Sequence, residues 1–349
     1  MVGIPTSIDD VTPAWLSEVT GLPVATLDVE QIGMGIGVSS AVYRLHLGGP
    51  GCPETVVVKL PALDEAAVFT STVLSMYLRE VRFFSQLSHQ SPIRVPACHH
   101  AAVDDATSEF VVVMEDLSAL RVVDQVEGMC LEDAERAVDG LAAWHATWWG
   151  KAQALADAGV TLSLGDPIYP AVVPMVFDEG WAKIDAAGID VPAAIRQVQP
   201  AFNGVLPRLL AALAQEPTTM IHGDYRADNL VFGPDGSVAA FDFQLIGTGS
   251  GSYDLAYFLT QSLEVDVASA HEQALFDRWR AGLQAGGVPE ADLGRLWDDY
   301  RTAALFCLVY PVVASRGMDL DDPRQRDLVL CMLRRFDRAV RELDLAELL

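Results

Sequence analysis

The sequence contains little lysine and no paired cysteine motif. Its 349 residues include three lysines, and Lys59 is the only one in the first 150 residues. The five cysteines are odd in number and form no CxxC pair, which argues against a disulfide framework and a zinc site. No basic segment followed by an apolar run opens the sequence, and the longest apolar stretch, residues 303–314, is too short to span a bilayer. These absences predict a cytoplasmic protein with no signal peptide and no membrane partner.

The charge balance is strongly acidic. A formal net charge of -25 predicts repulsion from DNA, RNA and anionic membranes, so we expect no nucleic-acid partner. An acidic surface can attract cationic substrates, although it also simply favours solubility. About half of the residues (51%) are hydrophobic, which is enough to bury a core in two domains or in one large two-lobed fold.

The residue pattern predicts an α+β protein. A short helix containing Trp15 and Leu16 should open at Ser7 and end at Gly21. Strands are then predicted within residues 27–60, 95–103 and 110–114, with a helix over residues 64–88 between the first group and the others. After Leu117 the pattern is mainly helical, with a strong helix over residues 131–149 and one hairpin at residues 229–243. We therefore place a boundary between an N-terminal lobe, residues 1–116, and a C-terminal lobe, residues 117–349.

The most informative segment is HGDYRADN, residues 222–229. Asp224 precedes Asn229 by five positions, and Asp242 follows thirteen residues after Asn229. Between them, the turn sequence Gly-Pro-Asp-Gly at residues 233–236 is flanked by apolar strands, so we expect a hairpin that returns Asp242 to Asn229. A carboxylate and an amide oxygen at one point are hard ligands that suit Mg²⁺.

Besides magnesium, two further needs of phosphoryl transfer match residues in this sequence. The reaction requires magnesium, a cation on the phosphates and a carboxylate that takes a proton from the attacking hydroxyl. Asp224 can supply the carboxylate, and Lys59, at the end of a predicted strand, can supply the cation. Glu80, in the following helix, can hold the Lys59 ammonium, although Glu65 is an alternative partner.

These motifs resemble the aminoglycoside phosphotransferase and choline kinase-like superfamily. Within it, the segments Met-Glu-Asp-Leu at residues 114–117, Leu-Ala-Ala-Trp-His-Ala-Thr-Trp-Trp at 141–149 and Tyr-Asp-Leu-Ala at 253–256 are similar to ecdysteroid kinase-like and related bacterial small-molecule kinases. The resemblance covers roughly residues 25–345. It implies a two-lobed protein-kinase-like fold, with a small antiparallel sheet plus a helix in the N-terminal nucleotide-binding lobe and a larger, mostly helical C-terminal lobe for catalysis and substrate binding.

The resemblance also implies a role for each matching residue. Asp224 is the catalytic base, Asn229 and Asp242 are magnesium ligands, and Asp254 braces the catalytic loop. ATP or GTP is implied as co-substrate with Mg²⁺, and a small hydroxylated molecule as acceptor. Nucleotide contacts are implied for Lys59, Glu80, Gly35, Ser39, Ser40, Met114, Glu115, Leu117 and Arg226.

The sequence lacks two motifs of protein kinases, which favours a small molecule over a protein as the substrate. The segment Gly-Met-Gly-Ile-Gly at residues 33–37 is not the GxGxxG loop, and no APE-type activation segment follows Asp242, which argues against a protein substrate. A Rossmann loop is excluded because an alternating strand, not a helix, follows the glycines. His222 is interpreted as structural, and Trp144 as part of a buried helical stripe.

Two functions of different class remain. The first is an active kinase that phosphorylates a small molecule, which includes aminoglycosides, macrolides, sterol-like compounds and other hydroxylated metabolites. The second is a catalytically silent nucleotide-binding or regulatory protein on the same fold. Oligomeric state is not predicted by any pattern in the sequence.

Overall fold

A computed structural model describes residues 3–33 and 39–349. It contains two compact units, each built around its own core. The first comprises Met1–Leu120 together with Phe241–Leu245, and the second comprises Arg121–Ala240 together with Ile246–Leu349. The boundary after residue 116 that the sequence suggests stays a prediction.

The elements are numbered along the chain. The α-helices are α1 (Pro13–Thr20), α2 (Glu65–Val73), α3 (Met76–Arg82), α4 (Leu131–Trp148), α5 (Ala152–Asp157), α6 (Ile168–Ala186), α7 (Ala193–Leu213), α8 (Ser252–Gln261), α9 (Val265–Ala285), α10 (Leu296–Phe306), α11 (Val309–Ser315) and α12 (Pro323–Glu342). The strands are β1 (Thr26–Ile32), β2 (Ser40–Gly48), β3 (Thr55–Pro61), β4 (Cys98–Val103), β5 (Phe110–Glu115), β6 (Arg121–Val122), β7 (Leu162–Ser163), β8 (Thr219–Ile221), β9 (Leu230–Phe232), β10 (Val238–Ala240) and β11 (Gly247–Gly249).

The first unit is an antiparallel sheet of five strands in the order β1-β2-β3-β5-β4. Strands β3 and β5 are central, and both are runs of β-branched residues that bury side chains on both faces. Val56, Val58, Val111 and Val113 are fully buried there and pack with Leu45 from β2. Because each such side chain contributes about 1.5–3 kcal/mol on burial, this apolar core holds the sheet together.

The prediction of one continuous helix over residues 64–88 is wrong. It is divided at Ser75, whose φ of 53° is left-handed and ends α2 before α3 begins. A π-helical turn, Phe83–Leu87, follows α3 and buries Phe83 and Phe84. The first helix was also predicted as one element from Ser7, but a separate 3-10 turn, Ile8–Asp10, follows Ser7, and the helix that contains Trp15 and Leu16 comes after it. It begins at Pro13, because the Thr12 side chain accepts the N–H of Trp15 as an N-cap, and it ends at Gly21 as predicted.

The second unit is mostly helical. Helix α4 packs on α9, α8 on α10, and α6 on α11. The predicted buried stripe of α4 is confirmed, since Leu141, Trp144 and Trp148 are at most 5% exposed. Two small sheets, β10-β9-β6 and β7-β11-β8, complete the unit.

The predicted hairpin is also present in the second unit. Strand β9 pairs antiparallel with β10, so that Ala240 lies opposite Leu230. The turn between them is closed by the N–H of Gly236, which donates to the Gly233 carbonyl, and by the Gly233 N–H, which donates to Ser237. Within residues 3–33 and 39–349, none of the helices combines the length and the apolar content that a bilayer span requires.

Candidate active site

The first unit gathers three charged side chains from distant parts of the sequence. Lys59 lies near the end of β3, Glu80 on α3, and Asp242 in the segment that follows β10. The Lys59 Nζ donates to Glu80 Oε1 at 2.7 Å and Oε2 at 2.9 Å, and to Asp242 Oδ1 at 2.8 Å. Lys59 is 5% exposed and Glu80 fully buried, so this pairing takes place away from bulk water.

The charge on Lys59 is secured by its two partners. Burial alone would lower the pKa of its ammonium, but the negative charges of Asp242 and Glu80 outweigh burial and raise that pKa above its usual value. Lys59 therefore stays cationic at neutral pH. Of the two glutamates considered as its partner, Glu80 holds this place, whereas Glu65 is exposed in the first turn of α2.

The position of Asp242 is fixed by its neighbours in the chain. The Phe243 ring stacks on Phe83 with centroids 3.8 Å apart, and the Phe243 backbone N–H donates to Glu80. Asp242 itself has a φ of 65°, a left-handed backbone that Asp tolerates better than most residues. Such a conformation costs on the order of 1–3 kcal/mol and persists where the surroundings over-determine it.

A polar chain continues from Asp242 to the end of the glycine-rich segment. Gln244 donates from Nε2 to Asp242 Oδ2 at 3.4 Å, and its Oε1 accepts from the Ser39 hydroxyl at 2.8 Å. The Ser40 hydroxyl is buried and has no hydrogen-bond partner among residues 3–33 and 39–349. Gly35, the other predicted loop contact, lies outside the described residues. Ser39 is thus engaged by a glutamine that the sequence did not single out.

Residues 114–117, which include three of the expected nucleotide contacts, begin in the last two residues of β5 and continue beyond it. Met114 is 6% exposed, and its partners across the sheet are Val57 and Cys98. The backbone N–H of Glu115 already donates to Ala97, and its carboxylate pairs with Arg94 at 2.6 Å. The carbonyl of Leu117 accepts from Leu120. An adenine contact through the Glu115 N–H would therefore have to displace an existing bond.

The second unit places Asp224 and Asn229 together. Residues 222–229 connect β8 to β9, and the Asn229 side-chain Nδ2 donates to Asp224 Oδ2 at 2.7 Å and to the Asp224 carbonyl at 2.8 Å. Arg226 lies 3.3 Å from the Asp224 carboxylate and also pairs with Asp228. The charges of these two carboxylates outweigh the effect of burial and raise the pKa of Arg226. Three of the predicted site residues thus form one cluster.

The loop that carries Asp224 is braced from behind by Asp254, on α8. Its Oδ2 accepts the His222 N–H at 2.7 Å and its Oδ1 accepts the Gly223 N–H at 2.9 Å. Gly223 has a φ of 83°, a backbone that favours glycine at this sharp turn. His222 therefore contributes its backbone here, and its ring accepts the Asp224 N–H through Nδ1 at 3.3 Å.

Asp254 is in turn oriented by His145 of α4, which the sequence had indicated only as part of a helix near tryptophans. Trp279 donates to His145 Nδ1 at 3.0 Å, so the ring carries its proton on Nε2, which lies 3.1 Å from Asp254. All three side chains are completely buried. This chain of hydrogen bonds has no signature in the sequence, because it joins three separate helices.

The two predicted Mg²⁺ ligands lie one in each unit, and each keeps an oxygen of the kind that this ion prefers. The Asn229 amide nitrogen is used by Asp224, which leaves its oxygen, and Asp242 has one oxygen on Lys59 and the other bonded only weakly by Gln244. Both are hard oxygen donors. In the described part of the chain, no group of three or more His, Cys, Asp or Glu side chains is arranged as a metal site.

Comparison with known proteins decides the family. The profile of the phosphotransferase enzyme family (APH) matches residues 29–301. The chain belongs to this family. The recognition of the superfamily from sequence is thereby confirmed, whereas no curated protein sequence matches the chain.

Solved structures of phosphotransferases share the fold at low sequence identity. The GDP complex of wild-type aminoglycoside 2'-phosphotransferase-IIIa gives a TM-score of 0.55 at 13% identity and covers 91% of this chain and 95% of that chain. A choline/ethanolamine kinase family protein from Mesorhizobium loti gives 0.51 at 16% identity over 97% of each chain. Choline kinase LicA from Streptococcus pneumoniae gives 0.51 at 14%, over 97% and 99%. The predicted kinase-like α+β fold is confirmed.

Proposed function

We propose that this member of the phosphotransferase enzyme family transfers the γ-phosphate of ATP or GTP to a hydroxyl group of a small molecule. The observation that carries the proposal is the Lys59 ammonium, which is buried and bonded to both Glu80 and Asp242. Triphosphate binding needs a fixed cation for the phosphates and a carboxylate oxygen for the metal ion. Lys59 is such a cation, and Asp242 beside it keeps one oxygen for a metal. That a structural neighbour is a GDP complex supports a nucleotide co-substrate.

The roles follow from the chemistry of each group. Lys59 would contact the α- and β-phosphates, with Ser39, Ser40 and Arg226 as further phosphate contacts. Asn229 and Asp242 would hold Mg²⁺, which when bound neutralises phosphate charge. With two protein ligands, the ion would complete its shell with phosphate oxygens and water. Residues 1–116 would bind the nucleotide, and residues 117–349 would supply the base and the acceptor site.

Asp224 would act on the acceptor. Its carboxylate accepts the proton of the attacking hydroxyl as the new oxygen–phosphorus bond forms and the bond to the departing nucleoside diphosphate breaks. Asn229 and Arg226, which already contact this carboxylate, hold it in one orientation. The role proposed for Asp224 concerns only the hydroxyl group of the acceptor and not the rest of that molecule. The proposal therefore extends to the acceptor classes of the structural neighbours, namely aminoglycosides, macrolides and choline-like alcohols.

The test replaces Asp224 with Ala and measures transfer and nucleotide binding separately. Transfer from Mg-ATP or Mg-GTP to a panel of these alcohols should fall by at least about 10³-fold, because the base is lost. Calorimetric nucleotide affinity should stay within about threefold, because the base does not touch the nucleotide. Asp266→Ala, an exposed acid in the first turn of α9, is the control that keeps both. Full turnover in the Asp224 variant contradicts the assignment.

The alternative is a nucleotide-binding protein without catalysis. It is supported if Mg-nucleotide binds to the wild-type protein while no alcohol and no water accepts the phosphate. Absence of any Mg-nucleotide affinity contradicts both functions. Since Asp224, Asn229, Asp242, Lys59 and Glu80 are all present, the catalytic function is the one that we favour.

A further inference from the structure

The peptide group between Gly223 and Asp224 is held at both of its ends. Its carbonyl, on Gly223, accepts a hydrogen bond from the Tyr310 hydroxyl of α11 at 3.1 Å. Its N–H, on Asp224, donates to His222 Nδ1 at 3.3 Å. This peptide group is bonded directly to the Cα of Asp224, so its orientation sets the direction in which the Asp224 side chain leaves the loop.

The chain does not fix this orientation by itself. Gly223 has a φ of 83°, and a glycine populates positive and negative φ about equally well, so the peptide groups beside it meet little steric resistance to rotation. Asp254 holds the preceding peptide group, since its Oδ1 accepts the Gly223 N–H. On the carbonyl side of Gly223, the corresponding contact comes from the Tyr310 hydroxyl.

The hydrogen of the Tyr310 hydroxyl is committed to this carbonyl. A carbonyl oxygen can only accept, so Tyr310 is the donor. The hydroxyls of Tyr253 and Tyr310 are also hydrogen-bonded to each other, and because the Tyr310 hydrogen is already used, Tyr253 donates in that contact. A hydroxyl that accepts one hydrogen bond is polarised to donate more strongly, so the contact with Tyr253 reinforces the bond to Gly223.

Packing fixes the position of the Tyr310 hydroxyl. The Tyr310 ring stacks on Tyr257 of α8, with ring centroids 3.5 Å apart and planes 5° apart. Helix α11 in turn lies very close to α6, since a side-chain carbon at Gly180 would lie 2.1 Å from the Val312 carbonyl oxygen. The Ser315 hydroxyl also donates to the Gly180 carbonyl at 3.1 Å. The hydroxyl therefore contacts the loop from a rigid support.

We propose that Tyr310 is a positioning residue for the phosphoryl-transfer reaction, whose hydroxyl holds the peptide group before Asp224 so that the Asp224 carboxylate is directed at the acceptor's hydroxyl. This inference rests on the proposed function of Asp224 as the base. Tyr310 exchanges no proton with the substrate and acts only through the backbone of the loop. A misplacement of about 1 Å can cost about 100-fold in rate, so one hydrogen bond to this peptide group is enough to affect turnover.

The experiment uses Tyr310→Phe, which removes one oxygen and keeps the ring that stacks on Tyr257. The full-length protein is assayed for transfer to water, measured as phosphate release from Mg-ATP and Mg-GTP, so that no acceptor has to be known. Tyr310→Phe should lower kcat by about 10–100-fold, with the KM for nucleotide within about twofold. Tyr300→Phe is the matched control, because Tyr300 is also buried and its hydroxyl donates to Glu272, away from this loop. It should lower the Tm and keep kcat.

Hydrogen exchange at the Asp224 amide reports on the peptide group directly. If Tyr310 holds that group, exchange at Asp224 should become at least about tenfold faster in Tyr310→Phe, because the peptide group can then rotate and the N–H leaves His222. Exchange at the same amide should be unchanged in Tyr300→Phe, whose lost hydroxyl has no contact with the loop.

Coupling separates positioning from a general loss of structure. In an Asp224→Ala background, Tyr310→Phe should change the residual rate less than twofold, because the group that it positions has been removed. Unchanged kcat in Tyr310→Phe, an equal loss of rate in both backgrounds, or unaltered exchange at Asp224 would each overturn the proposal.

These outcomes distinguish this inference from the proposed function. If Asp224→Ala releases phosphate as fast as the wild-type protein, Asp224 is not the base, and the proposed function fails together with this inference. If Asp224→Ala is inactive and Tyr310→Phe is fully active, the function stands and the inference about Tyr310 is wrong. If the wild-type protein transfers no phosphate to water, exchange at Asp224 needs no turnover, and slow exchange in Tyr310→Phe overturns the inference.

Discussion

Lys59 and Asp242 are 183 residues apart in the sequence, and the Lys59 Nζ lies 2.8 Å from Asp242 Oδ1. Glu80 completes the contact from a separate helix, and the Phe243 N–H that donates to Glu80 ties the Asp242 segment to the same carboxylate. One buried ammonium therefore links a strand, a helix and the segment after the hairpin. Its consequences for binding and stability are open to direct tests.

Replacing Lys59 with Met should weaken nucleotide binding. The variant keeps a long side chain on β3 and removes the cation that would contact the phosphates, so the Kd for Mg-ATP should rise by about 10–100-fold in calorimetry. It also leaves Glu80 buried without its partner, at a cost of about 3–5 kcal/mol. Adding Glu80→Leu should restore stability but not affinity. Wild-type affinity in Lys59→Met would contradict its role.

Asp254→Asn should loosen the loop that carries Asp224. The amide keeps only one acceptor oxygen, while the carboxylate accepts from His222, Gly223 and His145. At least one buried N–H then loses its partner, at a cost of about 1–3 kcal/mol. We expect faster amide hydrogen exchange at Gly223 and reduced turnover. Asp139→Asn, whose carboxylate pairs with Arg278 on the surface, should change neither exchange at Gly223 nor turnover.

A buried ion cluster among α9, α10 and α12 should dominate the stability of the second unit. Glu272 accepts from Arg338 at 2.6 Å and from Tyr300, and its side chain and that of Arg338 are at most 7% exposed. Arg338→Met should lower the free energy of urea unfolding by about 3–5 kcal/mol, because Glu272 is left charged and buried. Arg338→Met combined with Glu272→Met should recover most of this loss. A single variant as stable as the wild type would show that the pair contributes nothing.

The pairing of Asp116 with Arg44 should make the first unit sensitive to acid. Burial alone would raise the pKa of Asp116, but hydrogen bonds from Arg44, at 2.7 Å, and from Ser118 outweigh it and lower that pKa below 3.8. The contribution to stability is therefore complete above the ordinary pKa and is lost as the pH falls through the lower, folded value. Asp116→Asn should lower the Tm at pH 7 by about 2–4 °C, and this difference should disappear as the pH falls through the lowered pKa of Asp116. Asp105→Asn, an exposed acid, should show no such pH dependence.

Most of the features that were predicted correctly from the sequence follow from short motifs. The hairpin follows from the turn at residues 233–236, and the buried face of α4 follows from helical spacing. Glu80, preferred over Glu65 as the partner of Lys59, makes this contact in the structure, although both glutamates lie in the helix predicted over residues 64–88. The bracing of the loop by Asp254 was anticipated from the resemblance. These features depend on residues that are close in the sequence, or on a motif that the chain shares with the family it resembles.

The features that the sequence did not reveal depend on distant packing. The division of α2 from α3 at Ser75 requires a left-handed residue that no glycine or proline signals. His145 becomes a partner of Asp254 only when α4, α8 and α9 meet. The hydrogen bond that Ser39 donates to Gln244 spans 205 residues.

The five residues Phe241–Leu245 group with the first unit, although the chain before and after them groups with the second. The polypeptide therefore passes from one unit to the other three times, and the two units are interleaved in sequence. A fragment ending at residue 120 would retain Lys59 and Glu80 but would lack Asp242 and the Phe243 ring that stacks on Phe83. Splitting this protein at a single peptide bond thus cannot yield two intact halves, and complementing fragments would have to share the segment after the hairpin.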